Sequence, residues 1–123
     1  MSTIGHPLAD LCNLVSPYYT AERDYATSQK AFLPGATPGL PDAAQVARWY
    51  AEVAGFDPAP ELGWAVAFNM FRNAGVCQGI AARVARRQAS SERARFYADT
   101  RGELAAFAWE LAGRAREAAK ARL

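Results

Sequence analysis

Histidine occurs once in this chain, at His6, and cysteine only twice, at Cys12 and Cys77. A single imidazole excludes a histidine metal cluster and any chemistry that needs two imidazoles. The cysteines stand in apolar surroundings, LCNL and GVCQG. Two buried free thiols in a reducing compartment fit that pattern better than a disulfide or a metal pair, which needs further ligands. There is no basic leader followed by an apolar core, and no apolar run long enough to span a bilayer, so the expectation is a cytoplasmic protein without membrane contact. Glycine-rich phosphate loops are also missing, because GATPG has neither the lysine nor the following helix. No serine sits in a nucleophile elbow, and no carboxylates pair on one helix face. The residues therefore offer no catalytic group and no metal site.

What is present is the composition of a globular domain: 123 residues, 51% hydrophobic and 21% charged. One domain of this length can bury a real core. The net charge of +2 is too small to imply nucleic acid. It is unevenly spread, since acids prevail up to Gly79 and arginine plus lysine outnumber them about two to one from Ile80 onward. That pattern reads as a solvated, arginine-rich helix surface.

Apolar residues recur at helical spacing in four segments, and strand alternation is absent, so the expected fold class is all-α. The first helix starts at Pro7, whose missing N–H is harmless in a first turn, and stops near Ser16-Pro17. His6 reads as a helix-entry residue. Asp10 stands in an apolar run of leucines and needs partners for its carboxylate. A long, aromatic loop covers 18–40, with LPGATPGLP at its end; loops of that length tend to be functional. Asp42 caps the second helix with Gln45 three residues on, and Gly55 ends it. Val46, Trp49, Tyr50 and Val53 share its apolar face. The third helix, from about Glu61 to Arg87, is apolar nearly all round and so central, with Gly63, Gly75 and Gly79 expected at close contacts. The fourth begins at Ser90 or Ser91, with a break or kink at Gly102.

In STIGHPLADLCNL, LPDAAQVARWYAEVAG, FNMFRNAGVCQGIAARV, ASSERAR and LAAFAWELA, in this order, the chain resembles aminoglycoside phosphotransferase-like and choline kinase-like enzymes. The likeness is strongest to the phosphotransferases related to those fused to acyl-CoA dehydrogenases, and it covers nearly all 123 residues. It implies the C-terminal helical subdomain of a kinase-like fold, with Met1 falling just after the metal-binding Asp-Trp-Glu of that family. The nucleotide lobe and its lysine, the His-Gly-Asp catalytic loop and the magnesium-binding aspartate would then lie outside this sequence. ATP and magnesium would serve the full enzyme, and this chain alone is expected to be inactive.

By the same resemblance, Asp10 matches the aspartate that accepts backbone hydrogen bonds from the catalytic loop. Arg72 and Gln78, polar among apolar neighbours on the third helix, become candidates for contacting a small anionic or hydroxylated substrate, with Arg83 a further one. The resemblance implies two partners: the missing catalytic lobe, or a second copy through the first helix, whose Leu8, Leu11, Cys12 and Val15 would lack cover. A small helical protein-interaction module is the alternative, and a misassigned start codon a third possibility.

Overall fold

Short polar side chains set most of the helix starts. The computed structural model describes residues 5–123, in which α1 (Leu8–Ala21), α2 (Ala43–Ala54), α3 (Ala59–Ala85), α4 (Glu92–Asp99) and α5 (Arg101–Ala121) follow in order, with no strand among the described residues. Asp42 accepts from the Gln45 amide at 2.7 Å, and Ser91 from the Ala94 amide at 3.1 Å. Asp57 does the same for Ala59 at 2.9 Å, starting α3 two residues earlier than the sequence suggests. At α1 the His6 ring nitrogen Nδ1 accepts from the Leu8 amide at 3.2 Å, so His6 is a helix-entry residue as expected. Residues Ser2 to Ile4 of the opening motif lie outside the described residues.

Two helix ends use left-handed backbone. Gly55 ends α2 at φ 78°, which glycine adopts without steric cost. At the end of α3 the same task falls to Arg87, at φ 58°. The Gln88 amide reaches back to the Arg83 carbonyl at 2.8 Å and the Arg87 amide to Val84 at 3.0 Å, a Schellman closure on a residue with a Cβ.

α1 does not stop at Pro17 but runs through it to Ala21. Proline removes one backbone donor, yet neighbouring hydroxyls bond inside the helix: Ser16 Oγ donates to the Cys12 carbonyl at 2.6 Å, and Thr20 Oγ1 to Pro17 at 3.3 Å. Thr20 and Ala21 are buried, so packing of the last turn outweighs the local penalty. The connection therefore covers 22–42 rather than 18–40. It contains one 3-10 turn, Lys30–Phe32, and is held by side chains. Tyr18 donates its hydroxyl to the Pro41 carbonyl at 2.6 Å and meets Phe32 edge-on at 5.0 Å. Lys30 donates to the carbonyls of Ala21 and Arg23, and Thr37 to that of Ala31.

α3 is the central helix, packed against α5, α4 and α1. Leu62, Val66, Met70 and Cys77 point into a core completed by Leu8, Leu11, Cys12 and Val15 from α1 and Leu104, Phe107 and Leu111 from α5. The apolar face of α1 is thus fully covered within this chain. The expectation that Leu8, Leu11, Cys12 and Val15 would lie bare is corrected: α1 exposes Asp10, Asn13 and Leu14 instead.

Of the three α3 glycines only Gly63 marks a close approach; a Cβ there would sit 3.6 Å from that of Ala115 on α5. Gly75 and Gly79 face open space, because the helix is not buried all round. α2 also buries less than its pattern suggests. Val46 and Tyr50 pack on the core, with the Tyr50 hydroxyl donating to the Pro7 carbonyl, while Trp49 and Val53 face outward. The fourth expected helix divides at Thr100, not Gly102. The Thr100 hydroxyl donates to the Tyr97 carbonyl at 2.9 Å and lies 3.6 Å from Cys77 Sγ, fixing the α4–α5 corner on α3.

Candidate functional site

A groove of about 530 Å³ runs between the start of α1 and the first half of α3. Cys12, Trp64 and Phe68 give it apolar walls, and His6, Glu61 and Arg122 bring polar groups to it. Arg122 comes from the end of α5, so three helices meet there.

Further along the two helices a buried polar chain joins α1 to α3. Asn69 is fully buried; its Nδ2 donates to Ser16 Oγ at 2.7 Å, and Ser16 passes a bond to the Cys12 carbonyl. Arg72, which is exposed, donates from Nη2 to Asn69 Oδ1 at 2.7 Å. Arg72 thus has a structural partner while its other N–H groups remain directed elsewhere. Asp10 is an exposed carboxylate on the outer side of α1, beside Asn13, Leu14 and Tyr50. The expectation that its leucine neighbours would bury it fails, since those leucines other than Leu14 turn to the other side of the helix.

Asp10 and Arg72 are near enough for both charges to act on Cys12. Burial pushes the Cys12 thiol above its ordinary pKa, Arg72 opposes the rise and Asp10 adds to it. Asp10 and Arg72 nevertheless form no hydrogen bond or ion pair with each other, Arg72 being bonded to Asn69 and Asp10 lying with Asn13, Leu14 and Tyr50. Gln78 is exposed six residues after Arg72, about 9 Å further along the axis, on the other edge of the outward face of α3. It joins neither of them. Arg83 is further on and also exposed.

A second cleft, of about 350 Å³, lies under the connection and is lined by Tyr18, Tyr19 and Phe32. Its cations are already engaged: Arg23 donates to Glu110 at 2.5 Å and lies 4.4 Å over the Phe107 ring, and Arg114 bonds the same carboxylate oxygen. The hydrogen bond from Arg23 holds the Glu110 carboxyl below the usual carboxylate range, and burial pushes the Tyr19 phenol up.

Sequence reasoning missed Ser16, Asn69 and the Trp64–Phe68 wall. The available signal was an asparagine inside an apolar helical run, AFNMF, and a serine in VSPYY. Buried amides and hydroxyls must find one another. No group of three or more acidic, histidine or cysteine side chains among the described residues could hold a metal ion, and no helix there is long and apolar enough to cross a membrane. No family model, no curated protein and no solved structure matches this chain.

Proposed function

We propose that this chain is the acceptor-side helical part of an ATP-dependent phosphotransferase of the aminoglycoside phosphotransferase-like kind, acting in the cytoplasm on a small hydroxyl-bearing substrate. One observation carries the reading. Asp10 presents a carboxylate with no hydrogen-bond or ion-pair partner among the described residues on the outer side of α1, beside Asn13, Leu14 and Tyr50, while the opposite face of that helix is buried in the core. An aspartate so placed suits the support of a catalytic loop docked from outside. The groove then serves as one wall of the acceptor pocket, and the unused N–H groups of Arg72 suit a hydroxyl or an anionic group on the substrate. Gln78, on the far edge of α3, would reach the acceptor only if it were large. The residues here do not fit the binding of magnesium–ATP, which the catalytic part would hold.

The test is to establish the natural polypeptide that contains this chain and whether its reading frame also encodes His-Gly-Asp and Asp-Trp-Glu motifs. Phosphate transfer from magnesium–ATP is then assayed against aminoglycosides, choline, homoserine and sugars. The expected result is transfer to one class, with a higher KM in Arg72→Ala and a lower kcat in Asp10→Ala. A natural product of these residues alone, with no phosphotransferase subunit bound to it, would overturn the proposal.

A further inference from the structure

Between Glu61 and Glu92 the chain has no acidic residue and four arginines: Arg72, Arg83, Arg86 and Arg87. All four are exposed, and none belongs to an ion pair among the described residues. On the same outward side of α3, Trp64, Phe68 and Phe71 stand 45%, 65% and 66% exposed. Their spacing continues through Gly75, Gly79, Ala82 and Arg86, one unbroken helical face. We infer that this face of α3 docks an acidic amphipathic helix of another polypeptide.

Three features select that occupant. The three aromatics expose about 350 Å², taking roughly 150–250 Å² per ring side chain. That is the scale of a functional patch, and well under the ~800 Å² per partner of a stable dimer face. One helix laid along the stripe suits it better than a second copy of the whole chain. Next, Gly75 and Gly79 leave a gap in the middle of the stripe, where a Cβ would meet nothing within 4 Å beyond its chain neighbours and the backbone of its own helix. A helix backbone can enter there, and a lipid surface gains nothing from the gap. Finally, Arg72 and Arg83 flank the stripe and Arg86 ends it, so the complementary helix carries Glu or Asp beside its apolar seam. The inference stands on its own observations, and because Trp64, Phe68 and Arg72 are also given to the acceptor pocket above, a docked helix and a small substrate would exclude one another on this face.

Two synthetic helical peptides of about 20 residues, sharing a Leu/Ala seam, test it. One is flanked by Glu and the other by Lys, and each is titrated against the 123-residue chain by fluorescence anisotropy. The expected result is saturable one-to-one binding of the Glu peptide, with the Lys peptide about tenfold weaker or worse. Phe68→Ser/Phe71→Ser removes the binding while circular dichroism stays unchanged, since both rings are solvent-facing. Arg83→Glu/Arg86→Glu, at two exposed arginines with no ion pair among the described residues, reverses the preference between the peptides. Equal binding of both peptides, binding of neither, or binding that survives loss of the two phenylalanines would overturn the inference. So would tighter binding to anionic vesicles or oligothymidylate than to the Glu peptide, or a sedimenting dimer that Phe68→Ser/Phe71→Ser dissolves.

Discussion

Replacing Asn69 by alanine should be the most costly polar substitution in this chain. The amide is fully buried and spans two helices, donating to Ser16 Oγ at 2.7 Å and accepting from Arg72 at 2.7 Å. A typical buried hydrogen bond is worth about 0.5–1.5 kcal/mol net, and one to a charged group about 1.5–3 kcal/mol. The Arg72 bond belongs at the low end, because an exposed guanidinium recovers water when released. Adding the void left by the amide, Asn69→Ala should destabilise by about 2–4 kcal/mol. For a domain of this size that is a fall in Tm of about 10 °C. Ser16→Ala should cost less, about 1 kcal/mol, and the double variant less than the sum, with a coupling of about 1 kcal/mol. The assay is urea unfolding of the four proteins in a double-mutant cycle. If the two substitutions add within about 0.3 kcal/mol, the Ser16–Asn69 bond contributes nothing and the argument for a polar tie between α1 and α3 is wrong.

Arg87→Gly should raise stability by about 1 kcal/mol in a thermal melt, since glycine removes the penalty of a left-handed residue with a Cβ. Gly75→Ala and Gly79→Ala should each add about 0.5–1 kcal/mol by the same measurement, both being solvent-facing within a helix, while weakening the Glu peptide. Glu110 has a folded pKa lowered by Arg23, so its stabilising contribution is present above the unfolded carboxylate value and is lost as pH falls through the folded one. The difference in urea midpoint between the protein and Glu110→Gln should therefore shrink between neutral pH and about pH 3. The Cys12 and Cys77 thiols, both free and buried, should react with a thiol reagent only after denaturant is added.

Local chemistry was legible from residue types alone. Asp42, Ser91 and Gly55 act as caps because a short acceptor or a missing Cβ solves a problem confined to four or five residues. Pro17 was misread because its penalty is local while the compensation, burial of Thr20 and Ala21 on the core, is tertiary. Gly75 and Gly79 look identical to Gly63 in sequence, and only the position of α5 distinguishes them. The same holds for the candidate site. Arg72 was visible as a cation in an apolar run, but its bond to Asn69, and through it to Ser16 of α1, depends on how α1 crosses α3. Whether Leu8 and its neighbours were covered depended on that crossing too.

The connection 22–42 is fastened by side chains, so its closure has a chemical readout. Two of its fasteners, Arg23 and Lys30, are residues after which trypsin cuts. While Arg23 is bound to Glu110, and Lys30 to the carbonyls of Ala21 and Arg23, neither can enter a protease pocket. Cleavage at these two positions then requires the segment to lift first, and proceeds at a rate set by the fraction of time it is open. Arg87, exposed in the turn between α3 and α4 and in no ion pair among the described residues, supplies the internal comparison. The ratio of early cuts at Arg23 and Lys30 to those at Arg87 measures how tightly the segment is shut, without any ligand or label.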